Sequence, residues 1–358
     1  MKTILLNPGP VTLSAGVRAA LAGPDLCHRE AEFVMLQDDL RRKLLAVYDL
    51  PASDWGAVLL TGSGTAAVEA MLVSLVPREG RVLVAENGVY GERMQRIAET
   101  YGIATTRVTA PWGAALDLAA LDAALASAPH THLAVVHHET TTGRLNDLAA
   151  LGALCARHGV RMLLDGVSSF GAEGIAFGTL PIAACAATAN KCLHGVPGTA
   201  FVVVNRAALA AAGGVTRSVY LDLKDYLARQ DGHGTPFTQS VQTFYALDAA
   251  LDEFFAAGGQ AARGELFRAR MATVRATLLE LGVRPLLAQE ETSCVLHGFE
   301  LPEGRGYAEL HDALKARGFI IYAGQGALSE RVFRVSAMGD ISADDLARLC
   351  RALREILA

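Results

Sequence analysis

Short apolar runs alternate with longer stretches of helical period along the first part of the chain. The runs at 57–60, 81–85, 132–137, 161–164, 183–187 and 199–204 predict strands. Between them, 65–75, 91–101, 116–127 and 145–158 repeat apolar residues at helical spacing. Strand–helix alternation predicts right-handed crossovers and an α/β fold, with a mostly parallel sheet covered on both faces. After about residue 205 the rhythm changes. A helical stretch over 240–257 meets Gly258-Gly259, a second spans 260–281, and strands follow at about 292–299, 319–322 and 332–335. Ser342, with Asp345 three residues on, opens a last helix in the manner of a capping box and runs to Leu357. The chain shows no internal repeat and no low-complexity linker. The expected organisation is a large domain over 1–240, then a connecting helix and a small α+β domain over 241–358.

Length and composition fit that division. At 358 residues the chain exceeds one ordinary core, and at 51% hydrophobic and 19% charged it can bury a sizeable interior. The net charge of −5, without basic clusters, excludes a nucleic-acid footprint. The N-terminal residues lack a signal-peptide apolar region, and no apolar stretch reaches membrane-spanning length. Cys27, Cys155, Cys185, Cys192, Cys294 and Cys350 have no paired spacing, as expected of free thiols in a reducing cytoplasm. A cytoplasmic protein acting on small molecules is the expectation, with no nucleic-acid or membrane partner.

The candidate chemistry centres on one lysine. Only five of the 32 basic residues are lysines, and Lys191 alone sits in a small uncharged setting, Ala189-Asn190-Lys191-Cys192, ahead of a glycine-rich loop. A poorly solvated lysine has a depressed pKa and can act as an amine nucleophile. Asp165 ends the strand 161–164, and ligands bind outside the carboxyl ends of parallel strands. A carboxylate there can pair with a protonated pyridine nitrogen. Thr61-Gly62-Ser63-Gly64-Thr65 is a strand–glycine turn–helix junction suited to a phosphate dianion. Gly62, Gly64 and Ala67 also fit the dinucleotide fingerprint, with Glu86 ending the next strand, so an oxidoreductase is the rival enzyme. His137-His138-Glu139 resembles a metal cluster, but adjacent strand residues point to opposite faces, so no metal site is expected. Cys192 and His194 form a weak thiol–imidazole candidate. Arg334 lies inside an apolar strand and needs an anion, either a salt-bridge partner or a substrate carboxylate or phosphonate.

These residues carry a resemblance over essentially the whole chain. Asn7-Pro8-Gly9-Pro10, Cys27-His28-Arg29-Glu30-Ala31-Glu32-Phe33, Gly62-Ser63-Gly64-Thr65, Asn87-Gly88-Val89-Tyr90-Gly91, Glu139-Thr140-Thr141-Thr142-Gly143, Asp165 and Asn190-Lys191 resemble the class V branch of fold-type I pyridoxal-phosphate aminotransferases. Within it, Asp165-Gly166-Val167-Ser168-Ser169-Phe170-Gly171, the stretch 189–198 and, in support, 318–324 are most similar to the 2-aminoethylphosphonate:pyruvate aminotransferases. The resemblance implies a large pyridoxal-phosphate-binding domain with a seven-stranded sheet, and a homodimer with shared active sites. It implies that Lys191 carries the cofactor, Asp165 pairs with the pyridine nitrogen, Tyr90 stacks on the ring and Thr140 meets the phenolic oxygen. Ser63, Gly64, Thr65 and Asn190 surround the phosphate, Thr238 reaches the phosphate of the other subunit, Arg334 binds substrate anions, and Gly9 belongs to the substrate site. The activity implied is transfer of an amino group to a 2-oxo acid. Two departures bear on substrate. Cys27-His28-Arg29-Glu30 looks more like alanine–glyoxylate and serine–pyruvate enzymes, and Pro236 stands where the phosphonate enzymes carry arginine. A phosphonate lyase on the same scaffold is the other alternative.

Overall fold

The computed structural model describes residues 2–213 and 217–357. Seven strands form the central sheet in the order Trp55–Gly62, Gly198–Asn205, Ile182–Thr188, Arg161–Asp165, His132–Val136, Arg81–Glu86, Ala104–Thr109. The five from Ile182–Thr188 to Ala104–Thr109 are parallel. Gly198–Asn205 runs antiparallel to both of its neighbours. Its connection from Thr188 is a short loop, and a parallel return needs a crossover of about a dozen residues or more.

Alternation along each strand builds two cores. Trp55–Gly62 sends Ala57 and Leu59 to one face, where helices Ala31–Ala46, Leu118–Ser127, Leu148–His158 and Val241–Ala256 pack. It sends Val58 and Leu60 to the other, covered by Gly64–Leu75, Val89–Thr100 and Leu223–Asp231. Ala104–Thr109 has no counterpart among the strands expected from apolar runs. It is an edge strand, largely open to solvent, and its sequence is mostly Thr and Arg.

At Gly258 and Gly259 the backbone takes φ of +100° and +69°, which glycine adopts without a Cβ clash, and the chain turns into helix Gly259–Glu280. This helix, with Tyr307–Ala316 and Ala343–Leu357, packs on a three-stranded sheet of Leu296–Glu300, Val332–Ser336 and Tyr322–Ala323. The expected strand over 319–322 divides at Ile321. Tyr322–Ala323 pairs with Val332–Ser336, whereas Phe319–Ile320 pairs in parallel with Ile4–Leu5. Ile4, Leu6 and Val11 are thereby buried in the C-terminal core, and Pro8-Gly9 is carried to the end of the large sheet. The last helix has its capping box: Asp345 N–H donates to Ser342 Oγ at 3.0 Å, and Ser342 N–H to Asp345 Oδ2 at 3.2 Å. Among the described residues, no helix is long and apolar enough to cross a membrane.

Candidate active site

The carboxyl ends of the strands Trp55–Gly62, Arg81–Glu86, Arg161–Asp165 and Ile182–Thr188 lead into one cavity of ≈ 190 Å³. Ser63, Gly64, Thr65, Tyr90, Asp165, Asn190 and Lys191 all line it. Gly9 reaches it from the N-terminal segment. Its φ is +123°, and a Cβ there would fall 2.9 Å from Lys191 Cδ, so glycine is required by both backbone and packing. Thr140 and Arg334 lie at the side, joined to each other. Thr238 is exposed and does not line the cavity of its own chain.

Lys191 follows the buried strand Ile182–Thr188 and is itself half-buried. Its Nζ donates to the Pro8 carbonyl. Burial lowers the amine to about 8; the charges of Arg334 and Arg93 act in the same direction, and Asp165 opposes them. Asp165 is buried, and burial raises its carboxyl to about 6 against the pull of the Val167 N–H, Arg93 and Lys191. One Asp165 oxygen accepts the Val167 N–H at 2.9 Å. No cation among the described residues forms an ion pair with it. A buried carboxylate without an ion-pair partner suits a ligand that brings a cationic nitrogen.

The other end of the cavity is a set of donors. Ser63 is the N-cap of helix Gly64–Leu75, yet its hydroxyl makes no capping bond, and the N–H groups of Gly64 and Thr65 have no acceptor among the described residues. A Cβ on Gly64 would lie 2.7 Å from Val167 Cγ1, so only glycine lets the turn pack against Val167. Asn190 Oδ1 accepts the Thr188 hydroxyl at 2.8 Å, which leaves its amide NH₂ as a donor. Arg93 also lines the cavity. Its Nη1 donates to Thr65 Oγ1 at 3.1 Å, its guanidinium sits 4.7 Å from the centre of the Tyr90 ring, and no described carboxylate pairs with it. Helix N–H groups, hydroxyls, an amide and an unpaired guanidinium form a donor set for a phosphate dianion. With an amine of lowered pKa and a buried carboxylate opposite, the cavity has the groups that pyridoxal phosphate requires.

Arg334, in the strand Val332–Ser336, is buried at 3% exposure. Its Nε donates to the Ala323 carbonyl at 2.9 Å and its Nη1 to the Thr140 carbonyl at 2.8 Å. Among the described residues no carboxylate pairs with it, so the salt-bridge alternative is not what the fold supplies. Thr140 follows Glu139, whose carboxylate accepts the N–H of Tyr90 at 3.2 Å.

The other sequence candidates are engaged elsewhere. His137 Nδ1 meets Ser169 Oγ at 3.0 Å and His138 Nδ1 the Ser168 carbonyl at 3.1 Å. Cys192 Sγ lies 3.4 Å from the Ser168 carbonyl, whereas His194 Nε2 accepts the Gly339 N–H at 2.8 Å, so the two are not a pair. Glu86 is held by Arg107 at 2.6 Å, on the edge strand. Sequence reasoning missed Arg93 and the Pro8 carbonyl, and gave Glu139 no role of its own. Arg93 had one signal: it follows Tyr90 by one helical turn, on the same helix face.

Known proteins match this arrangement. The model of the aminotransferase class-V family matches residues 23–349. The 2-aminoethylphosphonate–pyruvate transaminase of Aeromonas hydrophila is 39% identical over 95% of this chain and 91% of its own length. That of Burkholderia ambifaria is 39% identical over 99% of this chain and 95% of its own. Among solved structures, an aspartate aminotransferase of subgroup IV from Thermus thermophilus superposes with a TM-score of 0.89 at 30% identity, covering 99% of each chain. An alanine–glyoxylate aminotransferase from Nostoc gives 0.92 at 25% identity, covering 100% of this chain and 96% of that one. Sequence, fold and the lysine–carboxylate–donor cavity agree, and the chain belongs to the class V aminotransferase family.

Proposed function

We propose that this protein is a pyridoxal-phosphate-dependent aminotransferase that moves the amino group of 2-aminoethylphosphonate to pyruvate, giving phosphonoacetaldehyde and L-alanine. Relatives of that activity align over nearly the whole chain. The observation that carries the substrate class is Arg334, a buried guanidinium held by two carbonyls and paired with no carboxylate. Such a fork fits a phosphonate in one half-reaction and pyruvate's carboxylate in the other. When bound, pyridoxal phosphate supplies the electron sink. Lys191 would carry it and, once released, would take the proton from the amine-bearing carbon of the donor. Asp165 keeps the pyridine nitrogen protonated. Tyr90 would lie against the ring, Thr140 would meet its phenolic oxygen, and Ser63, Gly64, Thr65 and Asn190 would hold the phosphate. Gly9 leaves room for Lys191 and substrate. The free thiols suit a cytoplasmic setting.

A panel of amino donors with pyruvate, reading alanine formed, tests the substrate. 2-Aminoethylphosphonate is expected to have the highest kcat/KM; a higher value for alanine or serine would move the protein to the alanine–glyoxylate and serine–pyruvate group. Donor alone separates transfer from lyase chemistry. In a transaminase the near-visible cofactor band bleaches and returns with pyruvate, whereas a lyase regains it unaided. Arg334→Ala is expected to raise KM for both 2-aminoethylphosphonate and pyruvate about ten- to a hundred-fold, the value of a charged hydrogen bond of roughly 1.5–3 kcal/mol. Lost stability with both KM values unchanged would assign Arg334 to the scaffold.

We infer that the enzyme is a homodimer in which Thr238 of each chain completes the phosphate site of its neighbour. The exposure of Thr238, away from its own cavity, supports this. Mixing Lys191→Ala with Thr238→Arg chains tests it. In the heterodimer both lesions fall on one site and leave the other intact, so activity should recover in part. Lesions acting within one chain would leave every site damaged and mixing would restore nothing.

A further inference from the structure

Glu139 is fully buried beside the cavity, and no cation among the described residues pairs with it. Each hydrogen bond that it makes is one it accepts. Oε1 takes the Thr141 hydroxyl at 2.6 Å and the Thr141 N–H at 3.2 Å. Oε2 takes the N–H groups of Tyr90 at 3.2 Å and Gly91 at 3.4 Å. Those two N–H groups belong to the first turn of helix Val89–Thr100, whose N-cap is Gly88 and brings no side chain. The Glu139 carboxylate, on strand His138–Glu139, therefore caps the helix together with the Thr141 hydroxyl, which accepts the Val89 N–H at 3.1 Å, and it faces the positive end of the helix dipole. The fit leaves no slack: a Cβ on Gly88 would fall 2.3 Å from Glu139 Cδ.

The next residue ties in the other recognition group, because the Thr140 carbonyl accepts Arg334 Nη1 at 2.8 Å. Residues 139–141 thus hold the Tyr90 helix at one end and Arg334 at the other. Burial pushes the Glu139 carboxyl up to about 7, while donors from Thr141 and Gly91 favour its ionised form. An amide in this place would turn N–H groups toward N–H groups.

We propose that Glu139 is a positioning residue: its carboxylate pins the Tyr90 helix to the 139–141 segment, and so sets the Tyr90 ring against the cofactor in register with Arg334. The inference rests on the reading of Tyr90 as the ring-stacking residue and Arg334 as the anion site.

The test uses Glu139→Gln, Tyr90→Ala and the double variant, each reconstituted with pyridoxal phosphate. The readouts are the circular dichroism of the bound cofactor, its dissociation constant, KM for pyruvate, and melting of the cofactor-free protein. Glu139→Gln is expected to halve the induced dichroism or more, to weaken cofactor binding about ten-fold and to raise KM for pyruvate several-fold. The double variant should bind the cofactor no worse than the weaker single variant, because both lesions act through one ring. Lower melting of Glu139→Gln with dichroism, affinity and KM unchanged would reduce Glu139 to a helix cap and overturn the proposal, as would losses that multiply in the double variant. If Tyr90→Ala itself leaves dichroism and affinity untouched, the fault lies with the stacking role of Tyr90. Should Glu139→Gln not fold, Thr141→Val removes the shortest bond to the carboxylate and enters the same cycle. A smaller loss of the same sign is then expected, and none would overturn the role of Glu139.

Discussion

Lys191→Ala is expected to abolish covalent cofactor attachment and to cut turnover by several orders of magnitude, while the protein still folds. The side chain projects from a loop, and its amine donates only to the Pro8 carbonyl among the described residues, so little packing depends on it. The chemistry depends on it heavily. With the amine lowered to about 8 by burial, roughly a tenth of it is neutral at pH 7, against less than about a thousandth for an ordinary lysine. On the proposed reading that fraction would be the nucleophile that captures the cofactor and the base that moves the substrate proton, and positioned proton transfer alone is worth roughly 10²–10⁴-fold. Borohydride reduction should fix pyridoxal phosphate to the wild-type chain at Lys191 and leave the variant unlabelled. The near-visible absorbance of the purified protein should vanish with it. A variant that kept the band or the label would show that another group holds the cofactor.

Much of the fold was legible in the sequence, and what was missed shares a cause. The inner strands of the large sheet are covered on both faces, so they stand out as apolar runs; Ala104–Thr109, open to solvent at the edge, spells Thr and Arg instead. At the site, Ser63–Thr65, Asp165 and Lys191 were legible because parallel strands deliver their carboxyl ends to one place. The strand expected over 132–137 stops at Val136, and His137 and His138, expected on opposite faces of one strand, straddle that break and reach the adjacent Ser169 hydroxyl and Ser168 carbonyl. Contacts made between distant segments left no local mark. Gly9 meets Lys191 only because Ile4–Leu5 pairs with Phe319–Ile320 near the far end of the chain. Glu139 reads as one more polar residue after two histidines until the Tyr90 helix is laid against it. Arg93 has only its one-turn spacing from Tyr90 to mark it until its helix is placed over the turn Ser63–Thr65.

Asp165→Asn is expected to leave pyridoxal phosphate bound and to slow proton removal from the donor by several orders of magnitude. The substitution is nearly isosteric, and Asn Oδ1 can still accept the Val167 N–H that Asp165 accepts at 2.9 Å. What it removes is the charge. An amide cannot hold a proton on the pyridine nitrogen, and without that cation the electron pair released at the donor carbon is poorly delocalised. The cofactor-free protein gives a second readout of opposite sign. Burial raises the Asp165 carboxyl from 3.8 to about 6, so the folded state is penalised for ionising it. The penalty is absent below about pH 4, grows as pH rises toward 6 and is complete above, at roughly 2–3 kcal/mol for a shift of this size. Cofactor-free Asp165→Asn should therefore melt higher than wild type at pH 7 and close to it at pH 4, although the loaded variant is nearly inactive. Pairing these measurements separates a residue kept for its charge from one kept for its shape. Near-normal single-turnover rates in Asp165→Asn, or a cofactor-free variant destabilised at pH 7, would mean that the carboxylate serves the scaffold and that another group tunes the ring.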